Sequence, residues 1–135
     1  MSLKKLDQSG FTLIEVSITI SIVILALLGA MASNTALHQS STSAYERSVA
    51  IQDANQILER MRNTASSGQF PGNVTAVFPN NGSVAGFTNL TNQQVVVSYV
   101  NPSTNPLDVS VTVSWLQNGL RNTSTSLRTL MTQRS

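Results

Sequence analysis

The sequence predicts an α+β chain in which one long N-terminal α-helix, first a membrane anchor and then amphipathic, packs on a small C-terminal antiparallel β-sheet. Three observations carry this expectation. Residues 11–32 are apolar apart from a few Ser and Thr and a single carboxylate, Glu15. Ala50, Ala54, Ile57 and Met61 then fall three or four apart with Ile51 and Leu58 beside them, the stripe of an amphipathic helix. Near the end, Val109, Val111, Val113 and Trp115 alternate with Ser110, Thr112 and Ser114, which is the period of a strand with one apolar face.

The first segment, residues 1–10, is short, polar and basic, with Lys4 and Lys5 against Asp7. Basic residues ahead of a spanning helix hold that end in the cytoplasm, so the rest of the chain is expected to face outwards. The apolar run that follows, about 22 residues from Phe11 to Ala32, suffices for a helix rising ~1.5 Å per residue to cross a ~30 Å hydrocarbon core. Glu15 is the misfit. A carboxylate at membrane depth is costly and normally meets a protein partner or reaches the interface. After Lys5 the next basic residue is Arg47, so the same helix offers Glu15 no cation. A cut after Gly10 would create one, the new α-amino group of Phe11. Within one molecule that pairing is awkward, whereas between two axially shifted copies it is easy, and the stretch reads as part of a subunit that assembles.

Lys4-Lys5 followed by Gly10-Phe11-Thr12-Leu13-Ile14-Glu15-Val16 and an apolar helix resembles the prepilin signature of type IV pilins and type II secretion pseudopilins. The resemblance covers roughly residues 4–32. It implies that a membrane prepilin peptidase cuts between Gly10 and Phe11 and methylates the new amine, and that Glu15 neutralises the Phe11 amine of a neighbouring subunit. It also implies a type IV pilin-like fold, an inner-membrane assembly platform as partner, and an end location in a cell-surface pilus or a periplasmic pseudopilus. Unlike an ordinary secretory signal, the expected cut precedes the apolar run, so residues 1–10 form a removed leader and the anchor stays. An uncleaved signal anchor whose Glu15 reaches the headgroups is the competing reading.

Thr12, Ser17, Thr19 and Ser21 lie early in the anchor, where their hydroxyls either return to the preceding helical turn or bond across helices. Gly29, Ala30 and Ala32 permit close packing, and the absence of proline from residues 11–70 departs from the kinked helix common in major pilins. Residues 33–43 are polar and small, a place to fray or to run on. Residues 33–62 are expected to form the amphipathic second half of the helix, one continuous rod of about 75 Å to Met61. Glu46, Arg47, Gln52, Asp53, Glu59, Arg60 and Arg62 occupy the positions outside the apolar stripe.

Residues 63–135 form the expected globular β domain. Its first part, 63–94, is rich in Asn, Gly and Ser, with Pro71-Gly72 as a breaker, Val74 to Phe78 as a short strand and Asn80-Asn81-Gly82 as a turn. Asn73-Val74-Thr75 and Asn89-Leu90-Thr91 match a glycosylation pattern at a frequency that a chain this rich in Asn and Thr reaches by chance. Strands are expected from Gln94 to Val100, from Asp108 to Leu116 and from Arg121 to Met131, the last two joined by a tight turn at Asn118-Gly119. This ending resembles V-type minor pilins and I-type pseudopilins.

Composition bounds the chemistry. The 135 residues contain no cysteine and carry a net charge of +2, which falls to +1 when Lys4, Lys5 and Asp7 leave with the leader. Without a disulfide the chain departs from many major pilins and leans towards a minor pilin or pseudopilin. One histidine, His38, provides no acid/base pair, and past Glu59 the one acidic side chain is Asp108, too little for a carboxylate calcium cage. No cofactor, metal or enzymatic activity is therefore expected. The sequence supports a structural subunit that starts or caps a filament. The alternative is a tip-located pilin capturing DNA or a surface, for which Arg121, Arg128 and Arg134 are the candidate phosphate contacts.

Overall fold

The computed structural model describes residues 12–133, which fall into two compact units divided after Gln39. Helix α1, Leu13–Ala65, contributes to both and stays helical through residues 33–43. In the first unit the helix is solvent-exposed along its whole described length. Leu13 is 86% exposed and Met31 70%. Ser17, Thr19 and Ser21 each donate their hydroxyl to a carbonyl four residues back, those of Leu13, Glu15 and Ser17, at 2.7–2.9 Å. These hydroxyls are satisfied inside their own helix, so they add little cost to an apolar surrounding.

In the second unit α1 lies against a four-stranded antiparallel sheet of order β1-β2-β3-β4, comprising β1 (Gly82–Ser83), β2 (Gln94–Tyr99), β3 (Leu107–Gln117) and β4 (Arg121–Met131). Alternation in β3 decides which face is covered: Leu107, Val109, Val111, Val113 and Trp115 are buried and the residues between them are not. Register with β2 sets Val95, Val97 and Tyr99 opposite Val113, Val111 and Val109, extending one apolar sheet face. The α1 stripe meets it as expected, with Ala50, Ala54, Ile57 and Met61 fully buried and Leu58 and Ala65 nearly so.

One flank of the helix's polar side is drawn into the domain. Asp53 is only 6% exposed. It accepts bonds from Gln93 Nε2 at 2.7 Å and from Asn89 Nδ2 at 3.1 and 3.3 Å, while Gln93 Oε1 takes the N–H of Leu90 at 3.1 Å. Seven residues earlier, Glu46 accepts the indole N–H of Trp115 at 3.1 Å and the N–H of Asn118 at 3.3 Å. Seven residues later, the Arg60 guanidinium stands 5.4 Å from the centre of the Phe87 ring, within cation–π range. Residues seven apart share a helix flank to within ~20°. Glu46, half-buried, and Asp53, buried, therefore lie at the border of the core, in line with the exposed Arg60, because the 84–93 loop and the β3–β4 turn come down onto that flank.

One correction concerns the connecting region. Residues Gly72–Val77 form a one-and-a-half-turn helix, α2, where a strand over Val74 to Phe78 was expected. Pro71 stands at its start, where a missing N–H is no loss. Asn73 bridges the short helix to the end of α1, donating to the Thr64 carbonyl at 2.5 Å while accepting the Val74 N–H at 2.8 Å. Val74 then points into the core. The expected turn at Asn80-Asn81-Gly82 is present, and it delivers a further, two-residue edge strand, β1. Gly82 is sterically required there: a Cβ would stand 2.7 Å from the Pro79 carbonyl oxygen.

Residues 80–84 close one edge of the sheet. Gly82 and Ser83 pair with Val97 and Val96, Val84 donates to the Val95 carbonyl at 2.8 Å, and Asn80 Oδ1 accepts the Tyr99 N–H at 2.9 Å. The Tyr99 hydroxyl donates to the Phe78 carbonyl at 2.7 Å, and burial pushes its pKa up to about 12. At the other edge β4 pairs with β3 alone. Its turn holds Asn118 at φ 51° and Gly119 at φ 70°, the left-handed pair of a type I′ turn, with Leu120 added before the register resumes at Gln117 and Arg121.

Replacing Asp53 with Ala should cost about 2 kcal/mol, because two side-chain amides lose a charged acceptor. Hydrogen exchange should accelerate in the 84–93 loop while β3 stays protected. Trp115→Ala should cost roughly 3–5 kcal/mol, read from urea unfolding of the sheet by circular dichroism; a near-zero change would contradict the burial of the ring.

Candidate functional site: the start of the long helix

The N-terminal end of α1 is organised around Glu15. The helix begins at Leu13, and the Thr12 carbonyl accepts the N–H groups of Glu15 at 3.0 Å and Val16 at 3.2 Å. Thr12-Leu13-Ile14-Glu15 matches the spacing of a capping box. Among the described residues, though, neither side-chain bond of that box forms, and the Glu15 carboxylate has no hydrogen-bond or ionic partner there. Its position in the first turn is itself favourable, since unpaired N–H groups give that end of a helix a partial positive charge. Around it stand Leu13, Ile14, Val16 and Ile18, all exposed. A lone carboxylate is thus presented on an uncovered apolar helix, with nothing in its own described surroundings to neutralise it.

Gly10 and Phe11, the expected cleavage and methylation positions, and the leader residues Lys4 and Lys5 lie outside the described residues, as does Arg134. The other two arginines named as phosphate contacts are not brought together. Arg128 belongs to the exposed set of β4 that alternates with Thr125, Leu127 and Thr129, whereas Arg121 falls in register with Gln117 at the turn, on the opposite parity. Arg128 is also engaged: its Nε and Nη2 donate to the two oxygens of Asp108 at 2.8 and 2.5 Å. That two-pronged hydrogen bond holds the Asp108 carboxyl below the usual carboxylate range. The same outer face carries a hydroxyl cluster, with Ser110 and Ser126 Oγ 2.8 Å apart and Thr112 bonded to Ser126 at 3.2 Å.

Helix α1 is long and apolar enough to cross a membrane by length and composition, and its apolar stretch is wholly unburied. A family model described as the prokaryotic N-terminal methylation motif matches residues 5–33, the signature carried by type IV prepilins. The matched stretch contains Glu15 and the exposed apolar helix, and it supports a type IV pilin-like or pseudopilin subunit. No curated protein and no solved structure matches the chain.

Glu15→Val should leave membrane insertion and N-terminal processing intact while filament incorporation falls sharply. The comparison is subunit in sheared filaments against subunit in membranes, and equal incorporation would dismiss Glu15 as an assembly residue.

Proposed function

We propose that this chain is a structural subunit, a minor pilin or pseudopilin, of a type IV pilus or type II secretion pseudopilus. The observation that carries the reading is the methylation motif at residues 5–33, coupled to a Glu15 that has no partner among the described residues and stands in the first turn of an exposed apolar helix. In this proposal prepilin peptidase removes residues 1–10 on the cytoplasmic side and methylates Phe11. The helix waits in the inner membrane with the globular unit outside, and an assembly platform then transfers it to a filament. Burial against other subunits' helices replaces burial in lipid, so the transfer exchanges one apolar environment for another.

Glu15 acts in this scheme as a register device. A carboxylate inside an apolar bundle is costly unless it meets a cation with good geometry. The Phe11 amine of a neighbouring copy provides that cation at one axial offset. Misaligned neighbours leave both charges unpaired, so complementarity selects the correct stagger. The globular unit contributes a rigid body that the helix carries, held by the buried stripe from Ala50 to Ala65. A tip-located role in capturing DNA or a surface is the alternative. It is separated by deletion: loss of filaments supports assembly, and intact filaments with lost uptake or adhesion support capture.

The deciding experiment is the N-terminal residue and mass of the mature protein from cells with and without prepilin peptidase. A peptidase-dependent start at methylated Phe11 is expected, and Gly10→Val should leave the longer, uncleaved form. A start at Met1 or Ser2 in peptidase-containing cells would overturn the proposal.

A further inference from the structure

The five described arginines of the globular unit are not alike. Arg60 stacks on Phe87, Arg62 is paired with Glu59, and Arg128 is paired with Asp108. The guanidinium groups of Arg47 and Arg121 have no hydrogen-bond or ionic partner among the described residues, and both residues line one open cleft of about 630 Å³. They reach it from different elements, Arg47 from α1 and Arg121 from the start of β4. Ser43, Asn122 and Ser124 share the lining, the side of Trp115 forms part of the wall, and the lining includes no acidic side chain. Ser43 and Arg47 continue the core stripe of α1, three to four residues apart with Ala50 and Ala54, so the cleft opens where the buried stripe leaves the sheet.

We propose that this cleft between α1 and the β3–β4 turn binds a single phosphate group, free or in a lipid headgroup, through Arg47 and Arg121. The chain itself shows how it treats a carboxylate: one arginine, Arg128, satisfies both oxygens of Asp108. Two guanidinium groups on one cleft surrounded by hydroxyl and amide groups suit an anion with more oxygens and more charge, and guanidinium geometry matches phosphate oxygens in pairs. The site does not suit a nucleic-acid backbone, whose binding depends on a track of many neutralised phosphates. Here the next arginine on β4, Arg128, has the opposite parity and is already paired. Glu46, the nearest acid on α1, has its two oxygens committed to the Trp115 indole and the Asn118 N–H.

Trp115 is the chain's single tryptophan, so its indole resonance reports on the cleft without interference. The full chain, held in nanodiscs of zwitterionic lipid, is titrated with inorganic phosphate at constant ionic strength. A saturable shift of the indole N–H signal is expected, weakened about tenfold or more in Arg47→Gln and in Arg121→Gln by loss of a two-pronged contact, and unchanged in Arg128→Gln. Acetate at equal ionic strength should give no saturable shift. Nanodiscs containing phosphatidic acid then separate the sources: prior occupancy that abolishes the phosphate response assigns the headgroup, and an unaltered response assigns soluble phosphate. The proposal is overturned by a non-saturable phosphate response, by an unchanged response in the double variant with its sheet signal intact, by an equal response to acetate, or by a stronger response to an oligonucleotide.

Discussion

The fit between the second half of α1 and one face of the sheet is the constraint on which the rest depends. A four-stranded sheet with Val, Leu, Trp and Tyr on one side has no stability until that side is covered, and α1 is what covers it. Ala50, Ala54, Ile57 and Met61 are all fully buried in that contact. Apolar burial supplies the drive, but the stripe alone leaves the helix free to roll by part of a turn. The line of Glu46, Asp53 and Arg60 removes that freedom, since each member is tied to a different part of the domain: the β3–β4 turn, the Asn89–Gln93 segment and the Phe87 ring.

The same arrangement bears on the proposed assembly role. A helix that anchors a subunit in a filament transmits force only if its globular load cannot slide or rotate on it. Buried charge held by amide donors is suited to this, because rotation would strand the Asp53 carboxylate without its Asn89 and Gln93 donors in a dry environment. The two units of the chain thus use carboxylates in opposite ways. Asp53 is satisfied within its own chain and fixes the fold, whereas Glu15 has no partner among the described residues and presents its charge outward from an apolar surface.

The edges of the sheet are treated unequally. Residues 80–84 seal the β2 side with a short strand, a backbone bond and the Asn80 side chain. On the β4 side an eleven-residue strand pairs only with β3. Exposed edges invite pairing with other chains, and charged residues on them limit it. β4 carries Arg121 and Arg128, and the Asp108 pair fixes the second of them across the strands.

Much was legible in the linear sequence because it depended on local period and composition. The long apolar helix, the Ala50–Met61 stripe, the alternation of β3 and the Asn118-Gly119 turn each follow from side-chain spacing or from the φ that a residue tolerates, and each appears in the folded chain. Glu15 was legible because one carboxylate in an apolar run is costly wherever the chain folds. Other features were decided only when distant segments met. Val74 to Phe78 is too short an apolar run for its period to distinguish strand from helix, and the contact of Asn73 with the end of α1 made it helical. Asp53 sits among polar neighbours in sequence, and only the descent of Asn89 and Gln93 turns it into a buried group. Arg47 and Arg121, far apart in the chain, share a cleft because the β3–β4 turn folds back towards α1. Period and charge are properties of a segment; burial and pairing are properties of what packs against it.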